Sequence, residues 1–265
     1  MKAAILAVGS ELLGTDRLDT NSLRLTALLD RHGVELRRKA AVGDSVEDIA
    51  SELRTLLERV DLILVTGGLG PTSDDVTREA AAVALGRGMH FDEEVLARIE
   101  ERFRSFGRRL PEVARKQADV IDGAELIPNE RGTAPGMRLE KDGTHLFLFP
   151  GVPMELEGML SGSLEPWLAT RSGGVGRETA VLKIASLPES EVEERILPAY
   201  EEFGREAITI LASPGEVRLQ ATASGPEPER RARLAAMVTR LSELAGRAVF
   251  ATREEDTLES VVGEL

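Results

Sequence analysis

Cysteine is absent from this chain of 265 residues. That excludes disulfides, thiolate catalysis and cysteine-ligated zinc, and says nothing about compartment. Histidine is scarce. His32, His90 and His145 are scattered without ligand spacing, and none lies close in sequence to Ser10, so a serine triad lacks support. Positive charge is in deficit, with 33 Lys and Arg against 46 Asp and Glu and a net charge of −13. Nucleic acid and anionic membrane surfaces both call for a basic face, so neither is expected as a partner. Long apolar runs are missing too. The first one, ending at Val8, is broken by Gly9, Ser10 and Glu11, too short for a signal sequence or a membrane span. The cytoplasm is the expected location. There is no G-x-x-x-x-G-K-[ST] loop, and the Rossmann fingerprint is weak.

What is present is an alternation of strand and helix. Ala3 to Val8, Val34 to Val42 and Leu62 to Thr66 read as strands. Asn21 to His32, Ser45 to Val60 and a segment through Val76, Ala80, Val83 and Ala84 read as helices. Further helices are expected over Asp92 to Phe106 (Phe106 on the apolar face), Pro111 to Ala118 and Met154 to Trp167, with Trp167 as core packing. Strands are expected at Leu126-Ile127, Gly136 to Leu139 and His145 to Phe149, the last two joined by a turn at Lys141-Asp142-Gly143. This order predicts an α/β domain over residues 1–171, a mainly parallel sheet with helices on both faces. Ser172 to Gly176 is the candidate linker. Beyond it, residues 177–252 predict a smaller α+β domain, with strands flanking Pro214-Gly215 and helices at Ser190 to Phe203 and Glu229 to Ala245. A sheet face left to pack on something leads to the expectation of a homodimer.

The most informative stretch is Thr66 to Glu79, TGGLGPTSDDVTRE. It lies between a buried strand and a helix. Gly67, Gly68 and Gly70 permit a tight turn and close approach of backbone to a ligand. N–H groups at the helix start favour an anion such as phosphate. Thr72 and Ser73 add hydroxyl donors, and Asp74 and Asp75 place two carboxylates beside the anion. Carboxylates repel phosphate unless a cation bridges them or one handles a proton, which points to a nucleotide or phosphate-ester enzyme. The same glycines also suit an ordinary strand-to-helix turn, with Thr72 or Asp74 as its N-cap.

Other loops should meet this one, because open parallel sheets bind ligands beyond the carboxyl ends of their strands. They carry Gly9-Ser10-Glu11, Asp19-Thr20-Asn21, Gly43-Asp44, the Gly132-Thr133 loop and Pro150-Gly151-Val152-Pro153. Each has a structural alternative. Asp44 with Glu47 fits a capping box for the helix at Ser45, Asp19 or Thr20 fits an N-cap, Pro150 to Pro153 fits a rigid strand exit, and Lys116 fits a solvated helix lysine.

These motifs together, with VGSELL at the start, DTN at Asp19 to Asn21, VGD at Val42 to Asp44, RKQA at Arg115 to Ala118, GTAPG at Gly132 to Gly136 and PGVP at Pro150 to Pro153, resemble the competence/damage-inducible protein A (CinA) family. The first domain is also similar to the molybdopterin-binding MoaB/MogA fold. The resemblance covers nearly the whole chain. It implies hydrolysis of the diphosphate of ADP-ribose with a divalent metal, Mg²⁺, Mn²⁺ or Co²⁺. It makes Asp44 and Asp75 the catalytic acids, with Asp74 beside them as metal ligands. Gly9, Glu11, Asn21, Gly67, Gly68, Gly70, Thr72, Lys116, Gly132, Thr133, Gly151 and Pro153 would hold a small-molecule nucleotide. Rival expectations are a molybdopterin-type nucleotidyl transferase and a non-enzymatic nucleotide-binding scaffold. The second domain is similar to a KH fold, without a G-x-x-G loop to clamp nucleic acid. The family continues into a nicotinamide-mononucleotide amidohydrolase domain, so residues 253–265 are expected to start a linker or helix toward it.

Overall fold

The computed structural model describes residues 1–15, 17–171 and 174–263. They divide into two compact units. The first takes Met1–Asp30 and the chain from Val34 through its last helix; the second takes Arg31–Gly33 and the chain from Gly174 on.

The first unit opens with β1 (Lys2–Val8), α1 (Thr20–Arg31), β2 (Glu35–Val42), α2 (Val46–Leu57), β3 (Leu62–Thr66) and α3 (Thr77–Leu85). It continues with β4 (Met89–Phe91), α4 (Glu93–Ser105), β5 (Asp119–Ile121), β6 (Glu125–Ile127), β7 (Gly136–Lys141), β8 (Thr144–Phe149), α5 (Pro153–Met159) and α6 (Glu165–Arg171). Six strands form one sheet in the order β2-β1-β3-β8-β7-β6, parallel from β2 to β8 and antiparallel at its far edge. Successive strand side chains point to opposite faces. Leu6, Val8, Ile63 and Val65 pack on one face with residues of α2, α3 and α4. Ala3, Ile5, Leu64 and Phe149 pack on the other with α1, α5 and α6. This is the expected mainly parallel sheet covered on both faces. Its order reverses between β1 and β3, which have β2 and β8 on their outer sides. A crevice opens at such a reversal, beyond the carboxyl ends of the strands.

The second unit contains β9 (Val175–Ile184), α7 (Glu189–Phe203), β10 (Ile208–Ser213), β11 (Glu216–Pro226), α8 (Glu227–Ala245), β12 (Val249–Ala251) and α9 (Leu258–Gly263). Its four strands run antiparallel in the order β10-β11-β9-β12. One face buries Leu182, Val217 and Leu219 against Ile196 of α7 and Met237 and Leu241 of α8.

Several local expectations are corrected. Residues Glu112–Ala118 form 3₁₀ turns instead of an α-helix. The helix expected over Met154 to Trp167 is split by a π turn at Leu160–Leu164, where Ser161 and Ser163 hydroxyls bond back to carbonyls of the preceding turn. Phe106 is exposed beyond the end of α4, and Val83 faces outward from α3. The β4–β5 pair has no counterpart in the sequence reading, because three-residue strands carry almost no periodicity. Val175 and Gly176 of the candidate linker belong to β9; Ser172 and Gly173 lie outside the described residues. Among the described residues no helix is long and apolar enough to cross a membrane.

Candidate active site

The glycine loop is built by the start of the helix that follows it. Gly67 has φ +106°, and a Cβ there would lie 2.1 Å from the Val8 carbonyl oxygen. Glycine is therefore required where the exits of β1 and β3 touch. Three successive carbonyls then turn toward α3. Gly67 O accepts from Thr77 Oγ1 at 2.8 Å, Gly68 O from the Thr77 N–H at 3.1 Å, and Leu69 O from Arg78 Nη1 at 2.7 Å. Arg78 Nη2 also reaches Gly70 O at 3.2 Å. In a trans peptide the C=O and the next N–H point in opposite directions, and the described residues contain no cis bond. The N–H groups of Gly68, Leu69 and Gly70 therefore point away from α3. Among the described residues none of the three meets an acceptor. Consecutive N–H groups on one side of a loop form a nest for an anion.

Arg78 is fully buried beneath this loop. Burial holds its guanidinium below the ordinary arginine pKa, against the opposing pull of Glu79, Asp75 and Asp119. Its Nε has no partner, so its donors are engaged only toward the loop. The sequence reading missed Thr77 and Arg78 as site-building residues. The signal was a Thr-Arg pair opening an apolar helix, where both side chains would be costly to bury without partners.

The acidic turn follows. Asp75 Oδ2 accepts from the Thr72 N–H at 2.8 Å and from Thr72 Oγ1 at 2.6 Å, and the same hydroxyl meets Asp74 Oδ1. That hydroxyl bond, with the local backbone and Lys116 adding to it, holds the Asp74 carboxyl below its ordinary value. Lys116 Nζ donates to the carbonyls of Thr72 at 3.0 Å and Asp75 at 2.8 Å and lies 3.6 Å from Glu79. It is a tie for the turn, not the solvated lysine of the structural alternative. Neither Thr72 nor Asp74 caps α3, whose first turn has Val76 at the cap and no side-chain cap bond. Both donors of Thr72 engage carboxylates in this structure, leaving the nest N–H groups to face an anion.

Asp44 sits in a separate pair. Its Oδ2 accepts from the Ser10 N–H at 2.8 Å, and Ser10 Oγ accepts from the Asp44 N–H at 3.1 Å. It does not cap α2. Ser45 does, accepting from the Asp48 N–H at 3.3 Å. The reciprocal Ser10–Asp44 bonds join the β1 and β2 exits, a use of Asp44 that a local capping pattern cannot reveal. The Gly9 N–H donates to Val42 O at 3.0 Å in the same seam.

Asn21 ties the start of α1 to the ends of β3 and β8. Its Nδ2 donates to Thr66 Oγ1 at 3.0 Å and to Gly151 O at 2.8 Å, and Thr66 Oγ1 donates on to Pro150 O at 3.1 Å. Asp19 caps α1 through the Ser22 N–H at 2.9 Å, as one alternative foresaw. Glu11, Asn21, Gly151 and Pro153 line one small cleft. Gly132 and Thr133 do not join it. They line a different cavity against α4, where Asn129 Oδ1 accepts from the Gly132 N–H at 2.8 Å and Asn129 Nδ2 donates to Glu155 at 2.7 Å. Among the described residues no three His, Asp or Glu side chains gather into a metal cluster. Asp74 and Asp75 meet at Thr72, while Asp44 stands in its own pair with Ser10.

A nest of N–H groups at the switch point of a mainly parallel sheet, flanked by carboxylates, is the candidate site of this α/β domain. Residues 4–170 match the family described as "Probable molybdopterin binding domain", and residues 179–251 match the "Damage-inducible protein CinA KH domain". A CinA-like protein of Solibacter usitatus is 42% identical over all of this chain and 64% of its own length. One from Thermotoga neapolitana is 39% identical over 98% of this chain and 62% of its own. The solved structure of CinA from Thermoplasma acidophilum, a protein of unknown function, is 33% identical, covers 63% of this chain and 99% of its own, and superposes with a TM-score of 0.59. This chain belongs to the CinA family. It spans less than two thirds of the length of the curated relatives it matches.

Proposed function

We propose that the first unit hydrolyses the diphosphate of ADP-ribose or a similar nucleoside diphosphate ester, giving AMP and ribose 5-phosphate. The observation that carries this reading is the set of Gly68, Leu69 and Gly70 N–H groups, turned outward by Thr77 and the buried Arg78. Such donors stabilise charge that builds on phosphoryl oxygens. Water attacks one phosphorus, the bridging P–O bond breaks, and the AMP or ribose 5-phosphate oxygen leaves. Asp44 is assigned the water proton: Ser10 pins its Oδ2, and its other oxygen has no partner among the described residues. Lys116 steadies the acidic turn through its carbonyls.

The donor set around Asp74 and Asp75 fits a divalent cation of the Mg²⁺, Mn²⁺ or Co²⁺ kind. It is all oxygen, exposed at Asp74 and half-buried at Asp75, and kept ionised at Asp74 by Thr72. Mg²⁺-like ions use one or two carboxylates plus substrate phosphates, without a full protein cage. Bound there, the ion would neutralise charge on the phosphates. The partner is a small-molecule nucleotide in the cytoplasm.

Product analysis tests the reading. Incubation with ADP-ribose and Mg²⁺ should yield AMP and ribose 5-phosphate, chelator should stop it, and added metal should restore it. Transfer of an adenylyl group to molybdopterin without ADP-ribose cleavage would replace this reading with the transferase. Binding without turnover, across all three metals, would replace it with the scaffold.

A further inference from the structure

The end of α4 carries charge of the opposite sign to the rest of the protein. Residues 102–109 read RFRSFGRR, with four arginines, two phenylalanines and no carboxylate, in a chain of net charge −13. Gly107, at φ +69°, stops the helix, and the Arg108 N–H donates back to the Phe103 carbonyl at 3.0 Å. That turn holds Arg108 and Arg109 close to the last helical turn, which carries Arg102 and Arg104. Arg104, Arg108 and Arg109 are exposed, and none meets a carboxylate among the described residues, whereas nearby Arg115 pairs with Glu112 at 3.5 Å. Cations in a final turn offset the negative end of a helix dipole. Arg108 and Arg109 lie outside the helix, beyond that need.

An exposed ring stands among these charges. Phe106 is 58% exposed, and the Arg102 guanidinium lies 5.0 Å from its centroid. Arg102 Nε is buried without a partner, and its other nitrogens meet no carboxylate among the described residues. A guanidinium stacked on a ring keeps its edge donors for phosphate. An acidic peptide would answer the arginines and leave the ring unused. An anionic membrane would meet repulsion from Glu93, Glu94 and Glu101, which α4 exposes on its way to the tip. A single-stranded nucleic acid supplies both phosphates for the guanidinium groups and base faces for the ring. The bulk charge opposes nucleic acid as a general partner, but surface charges more than about 10 Å away are largely screened at 0.1 M salt, so it does not govern a tip of eight residues.

We propose that the Arg102–Arg109 tip binds single-stranded nucleic acid, with phosphates on Arg104, Arg108 and Arg109 and a base stacked on Phe106. The proposal is independent of the reading of the glycine loop.

A fluorescently labelled oligothymidylate is titrated with the whole chain and followed by anisotropy at about 50 mM and about 200 mM salt. A duplex of the same length, polyglutamate and vesicles of anionic lipid serve as competitors. The single strand should bind, and none of the competitors should displace it at equal charge. Three phosphate contacts give a slope of about −2 in log K against log salt. Replacing Arg104, Arg108 and Arg109 together by Ala should remove most of that slope. Phe106→Ala should weaken binding at least ~5-fold and leave the slope unchanged. These four side chains are exposed, so both variants should keep the wild-type melting temperature. No binding at the lower salt would overturn the proposal, as would displacement by polyglutamate, vesicles or duplex. Binding untouched in the triple variant would place the strand elsewhere. An unaffected Phe106→Ala would reduce the tip to a patch for any polyanion.

Discussion

The two units of this chain bury different kinds of residue. The first buries Asn21, Thr66, Thr77 and Arg78 at the carboxyl edge of its sheet, each bonded to loop carbonyls or to another of the four. The second has one buried charged or polar side chain among the described residues, Lys183, whose Nζ donates to the carbonyls of Glu254 and Asp256. Its interior is otherwise apolar. Desolvating polar groups opposes folding unless every donor is met. Where four converge, the fold has been shaped by more than stability. Lys183 pins a chain segment; the four in the first unit aim backbone at a shared crevice. Buried polar side chains thus gather at the candidate site of the first unit, and the second has one among the described residues.

Asp75→Asn keeps the shape of the turn and should lower ADP-ribose turnover by at least ~10²-fold with an unchanged melting temperature. Unchanged kcat would detach the acidic turn from the chemistry. The second unit should answer in the opposite way. Leu219 is fully buried, so Leu219→Ala should cost about 2–5 kcal/mol in denaturant unfolding while turnover per folded molecule stays constant. Arg78→Met should move both readouts. It leaves the Leu69 and Gly70 carbonyls unmet, at about 1–3 kcal/mol, and frees the nest to rotate, so turnover should fall as well. Stability lost without any loss of kcat would make Arg78 structural only.

The smallest effects are in pH. Burial, with the hydrogen bond to Glu193, pushes the Tyr200 phenol of the second unit up to about 12. The neutral phenol is favoured in the fold, so its stabilisation is present below about pH 10 and lost between there and about 12. In the first unit burial lowers the His145 imidazole, against the pull of Glu140. Its contribution is present above about pH 6.5 and lost as pH falls below that toward the lowered folded value. Tyr200→Phe should flatten the alkaline limb of an unfolding curve, and His145→Gln the acid limb.

Sheet, helices and glycine loop were legible because each depends on residues close in sequence. Four apolar residues at Leu62–Val65 and glycines just after Thr66 suffice to place the loop. The turn at Asp142-Gly143, with φ +52° and +86°, was equally local. What stayed hidden depends on partners far along the chain. The Ser10–Asp44 bonds, the Asn21 link to Gly151 and the Lys116 ties to the acidic turn all join distant segments. A capping pattern at Asp44 is locally plausible and loses to Ser10, in the turn that follows β1. The aim of the Gly68, Leu69 and Gly70 N–H groups was invisible for a related reason. It follows from Thr77 and Arg78 folding back onto the loop, and sequence periodicity reports only which face of a helix is apolar.

In the proposed function those three N–H groups meet the phosphates of the substrate. Amide resonances of the ¹⁵N-labelled chain, followed while non-hydrolysed ADP-ribose is added to Asp75→Asn with Mg²⁺, test it directly. The largest shifts should fall on Gly68, Leu69 and Gly70, with smaller ones at Asn21 and Gly151 and none in the sheet of the second unit. Saturable shifts confined to the second unit, or to the cavity at Gly132 and Thr133, with the glycine loop unmoved, would contradict it.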